Sequence, residues 1–260
     1  MTLSRITSAF IFGIFIIYLI IYSSNYAFSF FFTALWFVAI WEWSGLAFDI
    51  FYKKLLFNLL MDLLLVLSIF FSTYDIYITT YFSLIPWILF FMSFYFYPFN
   101  INSLSIILLG PFLLFPSLFI IIYLHQLSTS YLLFLFLMVW ANDVGSYFFG
   151  KLIGRVKLAP IISPNKTWEG AIGGFIFTLI ASLILSLYFT LPILNFIILS
   201  SIISISSVIG DLSISMLKRN RGLKDTGIFL PSHGGILDRL DSTLAASVFF
   251  FIGLNFSGMI

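Results

Sequence analysis

Groups able to do chemistry are concentrated between Gly210 and Ser242, a stretch reading GDLSISMLKRNRGLKDTGIFLPSHGGILDRLDS. Only 8% of the 260 residues are charged, yet these 33 positions hold nine charged side chains: Asp211, Lys218, Arg219, Arg221, Lys224, Asp225, Asp238, Arg239 and Asp241. Apolar sequence lies on both sides, so the charges are held beside a membrane, where an unpaired ion is costly. Carboxylates interleaved with lysine and arginine suit a metal-assisted reaction on phosphates, because carboxylates hold a divalent cation while the basic groups and that cation share the phosphate charge. Asp211, Ser215 and Lys218 or Arg219 follow one another at i, i+4 and i+7 or i+8, which is one face of a continuing helix. Asp238 and Asp241 share a face if a further helix has begun there. Two such helices meeting at one membrane surface would bring Asp211 near Asp238 with a cation between them. Gly227, Pro231, Gly234 and Gly235 mark a turn-rich connection whose backbone can approach a ligand closely.

A second polar stretch precedes it, WANDVGSYFFGKLIGRVKLAPIISPNKTWEG from Trp140 to Gly170. Asn142 and Asp143 end an apolar run, at membrane depth or its edge, where an acid must find a partner. Gly145, Ser146, Gly150 and Gly154 give a helix a small-residue face for close packing. Ser163 and Pro164 have the form of a helix start. That reading predicts Lys166, Thr167 and Glu169 in the first turns of the next span, where free backbone donors beside a lysine favour a phosphate and Glu169 also complements the helix dipole. Two motif matches fail. Gly145 to Lys151 opens like a P-loop, but Leu152 follows where Ser or Thr is required, and the preceding segment is a membrane helix rather than a strand. The sequon at Asn165 to Thr167 falls on the cytoplasmic side of the topology below.

The elements that must position these groups are helices. The chain is 62% hydrophobic and 21% aromatic, with a mean hydropathy of +1.14, far from the composition of a soluble domain. An all-α, polytopic integral membrane protein follows. There is no cysteine, hence no disulfide framework or thiolate metal site. A net charge of +2 argues against a nucleic-acid surface. Nine apolar runs are long enough to be spans or parts of them: 6–22, 28–41, 55–72, 76–97, 101–124, 129–140, 171–191, 193–209 and 244–260. The first resembles a signal-peptide core with Ala27 as a cleavage site, but eight more runs follow, which favours an uncleaved helix. Residues 1–139 read as scaffold and residues 140–260 as the catalytic region, with two cytoplasmic polar loops forming the active site. Within the scaffold, Glu42 and Asp49 read as interface anchors, Asp62 as a partner for Lys53 or Lys54, and His125 as a surface residue. Pro111 and Pro116 are expected to bend the fifth span. Trp41, Trp43, Trp87, Tyr22, Tyr97 and Tyr188 fall near predicted span ends, where amphipathic rings favour the interface.

The segment SMLKRNRGLKDTGIFLPSHGGILDRLDS, Ser215 to Ser242, resembles the signature of the phosphatidate cytidylyltransferases, or CDP-diacylglycerol synthases. Its elements are all present, at Ser215, Lys218, Arg219, Lys224, Asp225, His233, Gly234, Gly235, Asp238, Arg239 and Asp241. Upstream, NDVGSYFFGKLIGRVKLAPIISPNKTWEG is similar to a second block of that family, so the resemblance covers roughly residues 140–245. Two positions depart from it. Asn165 stands where members often have a first lysine, and Ser232 replaces the glycine common before His-Gly-Gly.

The resemblance implies condensation of phosphatidate with CTP at a bacterial inner membrane, giving CDP-diacylglycerol and pyrophosphate, with the site facing the cytoplasm. It implies Mg2+ held by Asp211 and Asp238, with Asp241 and Asp143 available for the same or a second cation. Lys218, Arg219, Lys224 and Arg239 would neutralise the triphosphate and the lipid head group, and Ser163 and Lys166 would reach the nucleotide or lipid phosphate. Ser215, Gly234 and Gly235 join the substrate-binding set, and His233 either orients a phosphate or braces its loop. A homodimer is the expected assembly. Two rivals stand beside this reading: an ion-coupled transporter, since intramembrane acids and glycine-broken helices also mark transport sites, and a CTP-dependent enzyme acting on another lipid phosphate, such as an ether lipid.

With the N-terminus inside and nine spans, all twelve basic residues share the cytoplasmic face, as the positive-inside rule requires. A reporter fused at the C-terminus is expected outside the cytoplasm; a cytoplasmic signal would remove one span or invert the topology.

Overall fold

The computed structural model describes residues 3–70, 75–187, 193–227, 229 and 234–260. Tyr188, the expected external connections at Thr73 and at Leu191 to Pro192, and His233 lie outside the described residues. Nine helices account for most of the rest: α1 (Leu3–Tyr22), α2 (Asn25–Ala47), α3 (Phe51–Phe70), α4 (Ile76–Phe96), α5 (Ser103–Leu127), α6 (Thr129–Ile153), α7 (Trp168–Ser186), α8 (Ile193–Asn220) and α9 (Leu237–Phe256). Six of them, α2 and α4 to α8, are long and apolar enough to cross a membrane. The chain is a helical membrane protein.

Helix starts follow local chemistry. Asp75 accepts from the Tyr77 and Ile78 amides to cap α4, Asn102 from Ser105 to cap α5, and Ser128 from Ser130 to cap α6. Each satisfies amides that the first turn leaves without a helical partner. Pro111 and Pro116 both lie inside the one helix α5.

α6, α8 and α9 run beyond their apolar stretches. α8 continues through Asp211 and α9 has begun at Asp238 and Asp241, as their spacing anticipated, and Asn142 and Asp143 lie within α6 rather than at its end. Residues 163–167, expected to start a helix, instead form strand β2, paired antiparallel with β1 (Lys157–Ala159) through Lys157 with Thr167 and Ala159 with Ser163. The helix start moves to Thr167, whose hydroxyl accepts from the Gly170 amide at 3.1 Å. Glu169 reaches back across the turn to the Arg155 and Val156 amides, which ties the small hairpin to α7.

Other scaffold expectations are corrected by burial. Trp43 and Trp87 are fully buried among other side chains, and the Trp43 indole donates to the Ile106 carbonyl at 2.9 Å. His125 is buried and stacked on Phe28 at 3.9 Å. Asp62 takes a hydrogen bond from Asn58 at 3.1 Å, one helical turn away, in place of Lys53 or Lys54. Glu42 is buried in the interior. Asp49 pairs with Arg221 at the surface.

α6 and α7 share the most extensive contact among the described elements, and small residues allow it. A side chain at Gly145 would meet the Gly174 Cα at 3.0 Å and the Gly173 carbonyl at 3.1 Å. Gly210 allows α8 to lie directly against the α9 backbone at Asp241, which draws Asp211 toward the start of α9. Gly145→Ala is expected to destabilise the solubilised protein by about 1–3 kcal/mol through overpacking against backbone. Gly13→Ala, inside α1 with nearest neighbours at 3.8 Å, is expected not to lower the thermal unfolding temperature, since alanine there meets no clash and favours the helix.

Candidate active site

Four helices and the hairpin meet around a polar cavity of about 340 Å³. Asn142, Asp143 and Ser146 reach it from α6, Asn165, Lys166 and Thr167 from β2 and the α7 cap, Ser207 and Asp211 from α8, and Asp238, Arg239, Asp241 and Ser242 from α9. Carboxylates more than sixty residues apart thus share one wall, and each has a local reason for its position.

Asp211 is ion-paired with Lys166 at 2.5 Å and accepts from Ser215 at 3.2 Å, the i+4 neighbour on the same helical face. Asp238 is the most heavily engaged acid. Its Oδ1 holds the Lys218 ammonium at 2.7 Å, and its Oδ2 accepts from the Thr226 amide (2.8 Å), the Gly235 amide (3.0 Å) and the Thr226 hydroxyl (3.0 Å). Asp241 accepts from the Ser242 amide at 2.7 Å. Asp143 sits beside the Ser242 hydroxyl, within electrostatic reach of Asp211, Lys166 and Arg239. The four carboxyl groups outnumber the basic groups Lys166, Lys218 and Arg239 around them.

The cavity is therefore lined with hard oxygen donors, the class that suits Mg2+ or Ca2+. Two buried hydroxyls on its wall, Ser146 and Ser207, have no hydrogen-bond partner among the described residues. Also among the described residues, no three acidic or histidine side chains form a ready-made metal cage.

Of the residues singled out in the sequence, Asp143, Lys166, Asp211, Asp238, Arg239 and Asp241 converge on this cavity, with Lys218 and Ser215 directly behind its acids. Others do not line it. Ser163 sits in the hairpin, Lys224 is exposed to one side, and Arg219 is committed to the Ile162 and Leu223 carbonyls at 3.2 and 3.0 Å. Gly234 and Gly235 shape the loop, with a positive φ of 80° at Gly234 and the Gly235 amide on Asp238.

Two contributors escaped the sequence reading. Thr226 donates its amide to Asp238 and places its hydroxyl between Asp238 and Glu42. Glu42, from α2, accepts from the Ile236 and Leu237 amides at the start of α9, at 3.0 and 2.8 Å. The signal for Glu42 was its rarity: it is one of two glutamates in the chain, the other being Glu169, and it lies in an apolar helix where an acid needs a partner.

An oxygen-lined cavity that also carries Lys166 and Arg239, set among the helices of a membrane protein, has the charge pattern of a site for an anionic ligand. The sequence profile of the cytidylyltransferase family matches residues 3–257, and the chain belongs to that family. It is similar to the phosphatidate cytidylyltransferase of Staphylococcus saprophyticus, 49% identical over 114 residues that make up 43% of this chain and 44% of that protein. It is also similar to the protein of that name from Haemophilus influenzae, 48% identical over 125 residues, 46% of this chain and 43% of that protein. The Staphylococcus aureus protein is 51% identical over 115 residues, with 43% and 44% covered. The chain spans under half the length of the curated relatives it matches.

Pair burial differs across the site and so should the cost of breaking each pair. Lys218 and Asp238 keep 10% and 9% side-chain exposure, against 26% and 28% for Lys166 and Asp211. Lys218→Met is expected to cost about 3–5 kcal/mol by leaving a buried carboxylate without its counter-ion. Lys166→Met is expected to cost less, and thermal unfolding in detergent checks the order.

Proposed function

We propose that this chain is a phosphatidate cytidylyltransferase, transferring CMP from CTP to phosphatidate and releasing pyrophosphate. The observation that carries the reading is the convergence of Asp143, Asp211, Asp238 and Asp241 with Lys166 and Arg239 on one cavity, in a chain of the cytidylyltransferase family. In the proposed reaction a phosphate oxygen of phosphatidate attacks the α-phosphorus of CTP. A new P–O bond forms as the bond to the β-phosphate oxygen breaks, and pyrophosphate carries away the electron pair. No protein nucleophile is needed, so the work is positioning and neutralisation of charge.

Lys166 and Arg239 face the phosphates from two sides of the cavity, and Lys218, held by Asp238, contributes positive charge from behind. Lys224, and Arg219 if it exchanges its hold on the Ile162 and Leu223 carbonyls, would meet the triphosphate or the lipid head group from outside the cavity lining, and Gly234 and Gly235 let the loop come close to it. Asp211 and Asp238 would hold Mg2+, with Asp241 and Asp143 serving the same or a second cation. When bound, that ion would share the negative charge that develops on the phosphates.

In this reading all nine helices span a bacterial inner membrane and the cavity opens to the cytoplasmic side, where CTP is dissolved and the lipid head group arrives from the adjoining leaflet. Residues 1–139 serve mainly as scaffold and residues 140–260 as the reacting part, with two copies pairing as a homodimer. A related enzyme acting on an ether-lipid phosphate uses the same charges, and only the substrate separates the two.

The test incubates purified protein with Mg2+, labelled CTP and either diacyl phosphatidate or its dialkyl ether analogue. Label is expected in a lipid product with the diacyl substrate. Product with the ether analogue alone would shift the substrate, and no product with either would end the reading. Asp211→Ala and Asp238→Ala are each expected to lower turnover by at least about 100-fold while the protein still inserts and folds. Retained activity in either variant would remove that carboxylate from the metal site.

A further inference from the structure

Glu42 lies in the part of the chain that reads as scaffold, yet its carboxylate is only 4% exposed and is filled with donors from the catalytic end. Besides the Ile236 and Leu237 amides, Oε2 accepts from the Thr226 hydroxyl at 2.9 Å. These contacts substitute for a missing local cap. Ile236 occupies the N-cap position of α9 and makes no side-chain cap hydrogen bond, so the first amides of α9 are satisfied by an acid from another helix.

The loop is shaped around that acid. A Cβ at Gly227 would come to 2.5 Å from Glu42 Oε1, and a Cβ at Gly235 would collide with both Glu42 Oε2 and the Thr226 hydroxyl. The glycines of this connection therefore leave room for Glu42 as well as for backbone turns. The Thr226 hydroxyl lies between Glu42 Oε2 and Asp238 Oδ2, its single proton serving one of them at a time, while the Thr226 amide donates to Asp238 and Asp238 in turn holds Lys218. A buried carboxylate is expensive, and an apolar residue of similar size would serve packing in α2 at lower cost. The geometry points to orientation as its use.

We propose that Glu42 is a positioning residue for the reaction described above, on which this inference rests. It fixes the start of α9 and Thr226 together, and through them sets the direction of the Asp238 carboxylate and the Lys218 ammonium. Charges that must meet a developing transition state act well only when held in place beforehand, and a misplacement of about 1 Å can cost about 100-fold in rate.

The test compares Glu42→Gln, Thr226→Val and the double variant in the full-length protein, by steady-state kinetics, thermal unfolding and amide hydrogen exchange. Glu42→Gln keeps the volume but turns one acceptor oxygen into a donor facing other donors. It is expected to lower kcat by about 10- to 100-fold while KM for CTP and for phosphatidate stays within about threefold. Thr226→Val, which preserves packing, is expected to lower kcat by about tenfold. The double variant should fall no further than Glu42→Gln alone, because both act through the same carboxylate. Exchange at the Ile236 and Leu237 amides should speed up in Glu42→Gln whatever the substrate of the enzyme proves to be.

A kcat within twofold of wild type in folded Glu42→Gln, with only the unfolding temperature lowered, would overturn the proposal. So would multiplicative losses in the double variant, or unchanged exchange at the α9 start. Should Glu42→Gln not fold, Thr226→Val decides: an unaltered kcat overturns the proposal and a fall at constant KM supports it. Wild-type protein that makes no nucleotide-bearing lipid would fail the enzymatic reading, while the exchange measurement would still judge the placement of α9.

Discussion

Pairing of buried acids is the constraint on which the rest of this molecule depends. A carboxylate inside a helical membrane bundle loses its hydration and must recover the cost from donors and counter-ions supplied by the protein. Asp238 recovers it from Lys218, Thr226 and Gly235, Asp211 from Lys166 and Ser215, and Glu42 from the first amides of α9. Each of these partners comes from a different element or a different turn. The need to satisfy these three acids therefore holds α2, β2, α8 and α9 in a single arrangement.

Close packing of small residues makes that arrangement reachable. Gly145 lets α6 lie on α7, and Gly210 lets α8 meet α9 beside Asp241. In hydrocarbon, where apolar surface gives no net drive for helices to associate, such contact is a main source of affinity between them. The two functions are linked at the site. Asp143 lies two residues before Gly145 and Asp211 directly follows Gly210, so helix approach and acid approach are one geometric event. The β1–β2 hairpin then delivers Lys166 from the side, where a helix starting at Ser163 would have carried it in another direction.

Much of the site was legible because charge is scarce in this chain. With so few ionisable residues, the cluster from Asp211 to Asp241 stood out, and helical spacing placed Asp211 with Ser215 and Asp238 with Asp241 before any tertiary contact was known. Burial was less legible. His125, Trp43 and Trp87 looked like surface or interface residues because amphipathic side chains are compatible with both settings, and hydropathy alone does not say which neighbour a helix face meets. Ser163 and Pro164 favoured a helix start on local grounds, but pairing with Lys157 to Ala159 satisfied the same backbone groups across the hairpin and displaced the start to Thr167.

From sequence alone came the class of protein, the spacing of its helices and the identity of most cavity-lining charges, since these follow from composition, periodicity and the cost of an ion beside lipid. Tertiary structure decided which charge answers which. Lys218 serves Asp238 rather than standing free, Arg219 is committed to backbone carbonyls, and Glu42 crosses from the scaffold to cap α9. Those assignments depend on approach between segments nearly two hundred residues apart, and an interaction that falls off within a few ångströms leaves no periodic trace along the chain.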